Sequence, residues 1–156
     1  MKFASPYRSL PVETRLRLVE HEIVNDRDAK ASFIQVMVQR GGGFRPSTLN
    51  KWPAAQLARE IVRRNLETFG DELRLLQLLY VELEPELQID FLDACGVAHE
   101  NGSITDDRQG ALAEAPKVAE AANGLIEKHG DRARHYLRTI ATYNGEAWPG
   151  LDEVLQ

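Results

Sequence analysis

The sequence predicts an all-α fold, a single helical domain of about six to seven helices over residues 1–156. Apolar residues recur at spacings of three and four along most of the chain, which is the pattern of amphipathic helices. The segments between these stretches are short, as in helical bundles, and 156 residues is the size of one ordinary domain. Residues 97–105 differ, because Asn101-Gly102 is a favoured pair for a type I′ hairpin turn, so a very short β-ribbon is expected there.

The first three helices are predicted within residues 1–65. A helix can start after Pro11, a second can be capped by Asp26 or Asp28 and end before Gly41, and a third can begin with Pro53 in its first turn. Their apolar stripes are, in order, Leu16, Val19 and Ile23, with Leu18 beside them; Phe33, Ile34, Met37 and Val38; and Ala54, Leu57, Ala58, Ile61 and Val62.

The remaining helices follow with short breaks. Residues 71–83 are apolar nearly all round, so this fourth helix is predicted to be the most buried one. A fifth helix starts at Pro85, a sixth stops at Gly130, and a seventh can be capped by Asp131. The tail, residues 146–156, is expected to add one more turn.

Composition favours a soluble, cytoplasmic protein without membrane association. The single cysteine, Cys95, cannot form an internal disulfide, and its place on the apolar stripe of the fifth helix predicts a small buried side chain rather than a reactive thiol. The first 13 residues lack the apolar stretch of a signal peptide. The densest apolar run, residues 73–83, is too short to span a bilayer.

The charge is distributed unevenly along the chain. Residues 1–65 contain 12 Lys and Arg against 6 Asp and Glu, whereas residues 66–156 contain 7 against 18, for a net charge of −5. Such asymmetry predicts either an anionic partner for the basic half, or pairing of the two halves within one chain or between two chains.

The stretch RGGGFRPSTLNKWP, residues 40–53, has two interpretations. It does not match a Walker phosphate loop, because Lys51 is followed by Trp52, and it does not match a dinucleotide-binding G-x-G-x-x-G. Its glycine amides and nearby cations could still hold an anion, but glycines also end helices and reverse the chain, and we favour this second role. The candidate anion-binding residues are Arg40, Arg45, Lys51, Arg59 and Arg63.

Nucleic acid is a possible but not favoured partner for this segment. Phe44 and Trp52 could stack on bases. A sequence pI of about 5.4 nevertheless lies far below that of dedicated nucleic-acid binders, and Trp52 is equally explained as a core anchor at a helix start.

An acidic face is predicted on the fifth helix, where Glu86, Asp90 and Asp93 share one side. Three carboxylates could hold Mg²⁺ or Ca²⁺, but neither the glycine-containing loop of an EF-hand nor an E-x-x-H pair accompanies them. We therefore predict no metal site and a solvated or salt-bridged face.

A second candidate site is a pocket near the C-terminus. His135 and Arg138 share one face of the seventh helix, Tyr143 and Trp148 follow it, and His99 on the ribbon could supply an acid–base group. Aromatic walls with a few polar groups are typical of small-molecule pockets. Alternatively, Tyr143 and Trp148 pin the C-terminal segment onto the bundle, which is the commoner role of large aromatic residues.

The absence of a recognisable catalytic motif decides between the functional classes. The sequence contains neither G-x-S-x-G nor H-E-x-x-H. We favour an interaction or regulatory protein without catalysis or cofactor, bound to a protein partner or to a second copy of itself. The first alternative is a binder of anionic ligands or nucleic acid through residues 40–64. The second is an enzyme or small-molecule binder that uses the region of His135, Tyr143 and Trp148.

Overall fold

The computed structural model describes residues 5–156 and confirms the all-α prediction. Within this range the helices are α1 (Val12–Asn25), α2 (Arg27–Arg40), α3 (Pro46–Asn50), α4 (Ala54–Arg63), α5 (Phe69–Gln77), α6 (Glu86–Cys95), α7 (Ala115–His129), α8 (Asp131–Asn144) and α9 (Leu151–Val154). The two strands are β1 (His99–Glu100) and β2 (Ser103–Ile104). No helix between residues 5 and 156 combines the length and the apolar character needed to cross a membrane.

The chain forms two compact units. We call Leu10–Leu76 the N-terminal unit, and Gln77–Gln156 together with residues 5–9 the C-terminal unit. The single domain expected over residues 1–156 stays a prediction, and each unit is described by itself below.

In the N-terminal unit, α1 packs against α2 and α4, and α3 packs against α2. The side chains with no more than 1% exposure in its core are Leu18, Val19, Phe33, Met37, Leu49, Leu57, Ala58, Ile61 and Leu75. Burial of each of the larger ones contributes about 1.5–3 kcal/mol. Most residues of the predicted apolar stripes therefore form the core of this unit, whereas Leu16, Val38 and Ala54 are only half-buried.

Most predicted helix ends are confirmed within a residue. The Asp26 carboxylate caps α2 by accepting the N–H groups of Asp28 at 3.0 Å and Ala29 at 3.1 Å. Gly41 follows the last residue of α2, as expected. Asp131 does not cap α8, however, because Gly130 occupies the cap position with φ of +63° and Asp131 is the first helical residue.

The fourth predicted helix differs from the expected fully buried one. It consists of α5 followed by a π-helical segment, Leu78–Leu83. Leu75 and Leu79 are buried, but the side chains of Leu73 and Val81 are 37% and 45% exposed. An unbroken apolar run does not reveal which side of a helix meets the core, so the prediction is wrong at these two positions.

In the C-terminal unit, α6 packs against α7 and α8, and α7 packs against α8 and α9. Phe91 of α6, which is fully buried, lies at the centre of an aromatic cluster. The centroid of its ring lies 5.0 Å from that of Trp148 and 6.1 Å from that of Tyr136, both in edge-to-face geometry. Such pairs add about 0.5–1.5 kcal/mol each to the free energy of burial.

The predicted ribbon is confirmed in the C-terminal unit. His99 pairs with Ile104 and Glu100 with Ser103, and the connecting Asn101 and Gly102 have φ of +53° and +90°, as a type I′ turn requires. A two-stranded ribbon is only marginally stable alone. Here the amide of Gln88 on α6 donates a hydrogen bond to the Gly102 carbonyl and holds the turn against that helix.

Candidate functional site

The three consecutive glycines form the joint between α2 and α3. Gly42 and Gly43 have φ of +98° and +89°, a region that glycine enters without steric cost. Gly41 has an ordinary φ, but a Cβ atom placed on it would lie 2.4 Å from the Met37 carbonyl oxygen. Backbone geometry thus accounts for all three glycines, in agreement with the favoured interpretation of this loop.

Arg64 closes the loop from the end of α4. Its Nη1 donates to the Gly41 carbonyl oxygen, and its Nε donates to Glu60 Oε2 at 3.1 Å. The guanidinium carbon lies 5.4 Å from the ring centroid of Phe44, which in turn makes an edge-to-face contact with Trp52 at 5.1 Å. Phe44 and Trp52 are both half-buried, so these aromatic side chains are already engaged with their own loop.

The cations of residues 40–64 greatly outnumber their carboxylate partners. Glu60 is the only acidic residue in the segment, and it accepts hydrogen bonds from both Arg63, at 2.6 Å, and Arg64. These bonds, that of Arg63 foremost, lower the pKa of Glu60. Glu60 therefore remains ionised and offsets only one of the two positive charges.

Four other cations in this segment have no carboxylate partner. They are exposed and form no ion pair within residues 5–156: Arg40, Arg45, Lys51 and Arg59. We call these four residues and Arg63, the five candidates from the sequence, the basic surface.

Contacts within the N-terminal unit link the segments that carry these residues. The hydrogen bond between Arg64 and Gly41 joins the end of α4 to the end of α2. Arg63 and Arg40 directly precede these two residues in the sequence, so they lie at the same end of the unit. Arg59 lies one turn before Arg63 on α4. Arg45 and Lys51 flank α3, which packs against α2.

The acidic face of α6 is salt-bridged within its own unit, as predicted. Asp90 accepts from Lys128 at 2.9 Å and from the His129 ring at 3.0 Å, and these bonds lower its pKa, that from His129 foremost. Glu86 accepts from Arg132 at 2.6 Å, which lowers the pKa of that carboxyl as well. Among the described residues, no group of three or more His, Cys, Asp and Glu is arranged to hold a metal ion.

His135 fastens the start of the described chain to α8. Its Nε2 lies 2.5 Å from the Pro6 carbonyl oxygen, and its Nδ1 is hydrogen-bonded to the Tyr80 hydroxyl. Because the carbonyl only accepts, Nε2 carries the proton and Nδ1 accepts from Tyr80. Burial lowers the pKa of His135, so the ring is held in this neutral form.

His99 is engaged in a similar way on the ribbon. Its Nδ1 accepts the Gly102 N–H at 3.0 Å, so Nε2 carries the proton that is directed at Asp93 Oδ1, 2.6 Å away. The third carboxylate of the α6 face therefore also has a partner in its own unit.

The other pocket candidates lie apart. Trp148 is 3% exposed and packs against Phe91, whereas Tyr143 is 40% exposed. Arg138 lines a cleft of 550 Å³ together with Thr142, Asp152 and other residues of the C-terminal unit, and it is the one member of the five candidates on that lining. Trp148 and His135 thus have evident packing and tethering roles.

Sequence reasoning missed the long-range contacts that Arg64 and Tyr80 make in these regions. The pairing of Arg64 with Glu60 follows from their spacing of four, but its second acceptor is a backbone carbonyl 23 residues away. Tyr80 meets His135 across 55 residues. Neither contact leaves a signal in the local pattern.

No protein-family model matches the chain, and no significantly similar curated protein or solved structure was found. The side chains themselves are therefore the basis for assigning a function.

Proposed function

We propose that the protein is a non-catalytic interaction protein that binds an acidic protein partner through the basic surface. The observation that carries this proposal is the exposure of Arg40, Arg45, Lys51 and Arg59 without carboxylate partners within the described residues. By contrast, the Asp90 and Glu86 carboxylates of α6 are matched by Lys128 of α7 and Arg132 of α8.

The basic surface would act on an acidic partner by speeding association and by fixing the orientation in which the two proteins dock. Exposed like charges four residues apart cost only about 0.2–0.5 kcal/mol per pair, so the fold tolerates an unmatched basic surface. Complementary charges on a partner accelerate encounter and select the docked orientation, and this effect weakens as salt is added.

A protein partner is favoured over nucleic acid for two reasons. The sequence pI of about 5.4 lies far below that of dedicated nucleic-acid binders. Phe44 and Trp52, the aromatic residues nearest the cations, contact each other in an edge-to-face pair instead of presenting open faces for base stacking.

The first experiment determines whether the partner is a second copy of the chain. Residues 66–156 carry 18 acidic against 7 basic residues, so one chain could supply the acidic surface for another. Light scattering on protein stripped of nucleic acid gives the mass at low and high salt. A multimer that dissociates in salt identifies self-association, and a monomer at both salts directs the search to other acidic proteins.

The second experiment tests the basic surface directly. A glutamate-rich synthetic peptide is titrated into the protein at low salt, and binding is followed by fluorescence anisotropy. The double variant Arg59→Glu/Arg63→Glu is expected to weaken binding by roughly tenfold or more, since each exposed contact is worth up to about 1 kcal/mol and becomes repulsive.

The matched control is Arg27→Glu/Arg134→Glu, which changes the net charge equally at exposed positions of α2 and α8 outside the basic surface. We expect it to retain most of the binding. No binding at low salt, or binding that salt does not weaken, would contradict the proposal. Tighter binding to duplex DNA than to the peptide would support the nucleic-acid alternative.

A further inference from the structure

An apolar groove of 340 Å³ lies between α2 and α3 of the N-terminal unit. Its apolar lining comes from Ala31, Ile34 and Val38 of α2 and from Pro46 of α3. The other lining side chains are uncharged amides, so no ionised group lies on the wall of the groove. Such a lining accommodates aliphatic or aromatic groups and offers nothing that would hold a phosphate.

Three cations of the basic surface adjoin this groove. Arg40 is the last residue of α2, Arg45 directly precedes α3, and Lys51 directly follows it. The carboxylates of α2, Asp26 at its cap and Asp28, lie at the opposite end of the helix, where Asp28 precedes the lining residue Ala31 by three positions. The groove therefore combines apolar walls with cations at the end of α2 and at both ends of α3.

We propose that this groove holds the apolar side of an acidic, amphipathic helix of the protein partner. The inference rests on the proposed function and specifies the chemistry of the partner. Charge complementarity to Arg40, Arg45 and Lys51 selects acidic side chains, and the apolar walls select hydrophobic anchors beside them. This combination corresponds to the helix-in-groove mode of recognition.

The dimensions limit the number of anchors to about two. A cavity of about 150 Å³ holds a benzene molecule, so 340 Å³ has room for about two groups of this size. The five residues of α3 extend over roughly 7.5 Å, which is close to the ~5–6 Å between side chains one turn apart on a helix. Two leucines at positions i and i+4 of an acidic helix fit both limits.

The test compares two synthetic peptides of equal length and equal negative charge. Both are glutamate-rich helices; one has leucines at positions i and i+4, and the other has alanines there. Fluorescence anisotropy at low salt measures their affinities for the wild-type protein, residues 1–156. We expect the leucine peptide to bind about tenfold more tightly than the alanine peptide, a difference of 1.4 kcal/mol.

Two matched variants locate the site of this preference. Ala31→Glu places a carboxylate in the groove, and Ala55→Glu makes the same change at an exposed alanine of α4 outside it. We expect Ala31→Glu to abolish the preference for leucine and Ala55→Glu to keep it. Circular dichroism checks that both variants retain the helical content of the wild type.

The outcomes separate this inference from the proposed function. Equal binding of the two peptides to the wild type, or a preference for leucine that survives Ala31→Glu, overturns the proposal that the groove binds the helix. The basic surface then remains as the binding site. If neither peptide binds at low salt, both the proposed function and the proposed role of the groove are overturned. The peptide comparison uses the wild-type protein, so it does not depend on the folding of a variant.

Discussion

Replacement of Arg74 by methionine tests how much the pairing of two largely buried carboxylates with one guanidinium contributes to the free energy of unfolding. Arg74 donates to both oxygens of Glu22 at 2.7 and 2.9 Å and to Asp71 at 2.7 Å, and so links α1 to α5. Each carboxylate side chain is 7% exposed, whereas Arg74 is 40% exposed. Methionine keeps most of the aliphatic stem and removes the charge.

The expected loss follows from the number of bonds and from the access of water. Three hydrogen bonds between charged groups, at about 1.5–3 kcal/mol each, set an upper limit on the loss of stability. The loss stays below this limit, because the contributions of bonds in one network do not add. Removal of one partner of a fully buried ion pair costs about 3–5 kcal/mol. Water can replace the partly exposed guanidinium of Arg74, so we expect a decrease of about 2–3 kcal/mol in the free energy of unfolding.

Arg63→Met is the matched control. Arg63 also bonds a carboxylate three residues earlier, Glu60 at 2.6 Å, but its side chain is 62% exposed, so the expected loss is at most about 0.5 kcal/mol. Urea unfolding is followed by circular dichroism and by the fluorescence of Trp52, which lies in the same unit. Equal losses for the two variants, or less than about 1 kcal/mol for Arg74→Met, would refute the reasoning.

Three further predictions concern the C-terminal unit. Gly124→Ala is expected to stabilise α7 by about 1 kcal/mol, because an added Cβ meets no atom within 4 Å and alanine is the better helix former; a lower melting temperature would contradict this. The lowered pKa of His135 means that the unfolded state takes up a proton more readily than the folded state. Stability contributed by the neutral ring is therefore present above pH ~6.5 and is lost as the pH falls through the lower pKa of the folded state, so His135→Gln should lose less stability than the wild type between pH 7 and 5 in urea titrations. Burial raises the pKa of Cys95 to about 11, so alkylation by iodoacetamide at pH 8, measured by mass spectrometry, should be slow until urea is added; rapid modification of the native protein would show an accessible thiol.

The features predicted correctly are those encoded by neighbouring residues. Asp26 caps α2, Gly41 ends it, and Asn101-Gly102 turns the ribbon, because each depends on backbone groups within a few residues. The excess of cations in residues 40–64 is a matter of composition, and it is visible in the sequence for the same reason.

The features that were missed depend on distant contacts or on weak patterns. The segment PSTLN of α3 has a single buried side chain, Leu49. One apolar residue cannot produce the repeating spacing by which a helix is predicted from sequence. The groove beside α3 could not be foreseen for that reason. The bonds of Arg64 to Gly41 and of His135 to Pro6 both end on backbone carbonyls, which every residue possesses and which no residue type marks.

The bond between His135 and Pro6 has a consequence for the order in which the chain can fold during synthesis. Its two partners are 129 residues apart, and residues 5–9 belong to the same compact unit as Gln77–Gln156. The residues of the N-terminal unit are contiguous, so all of them leave the ribosome before Gln77–Gln156. The C-terminal unit is different, because residues 5–9 leave the ribosome before the N-terminal unit and cannot reach their place until α8 has emerged. Residues 5–9 can therefore take their place only after the whole N-terminal unit has been synthesised.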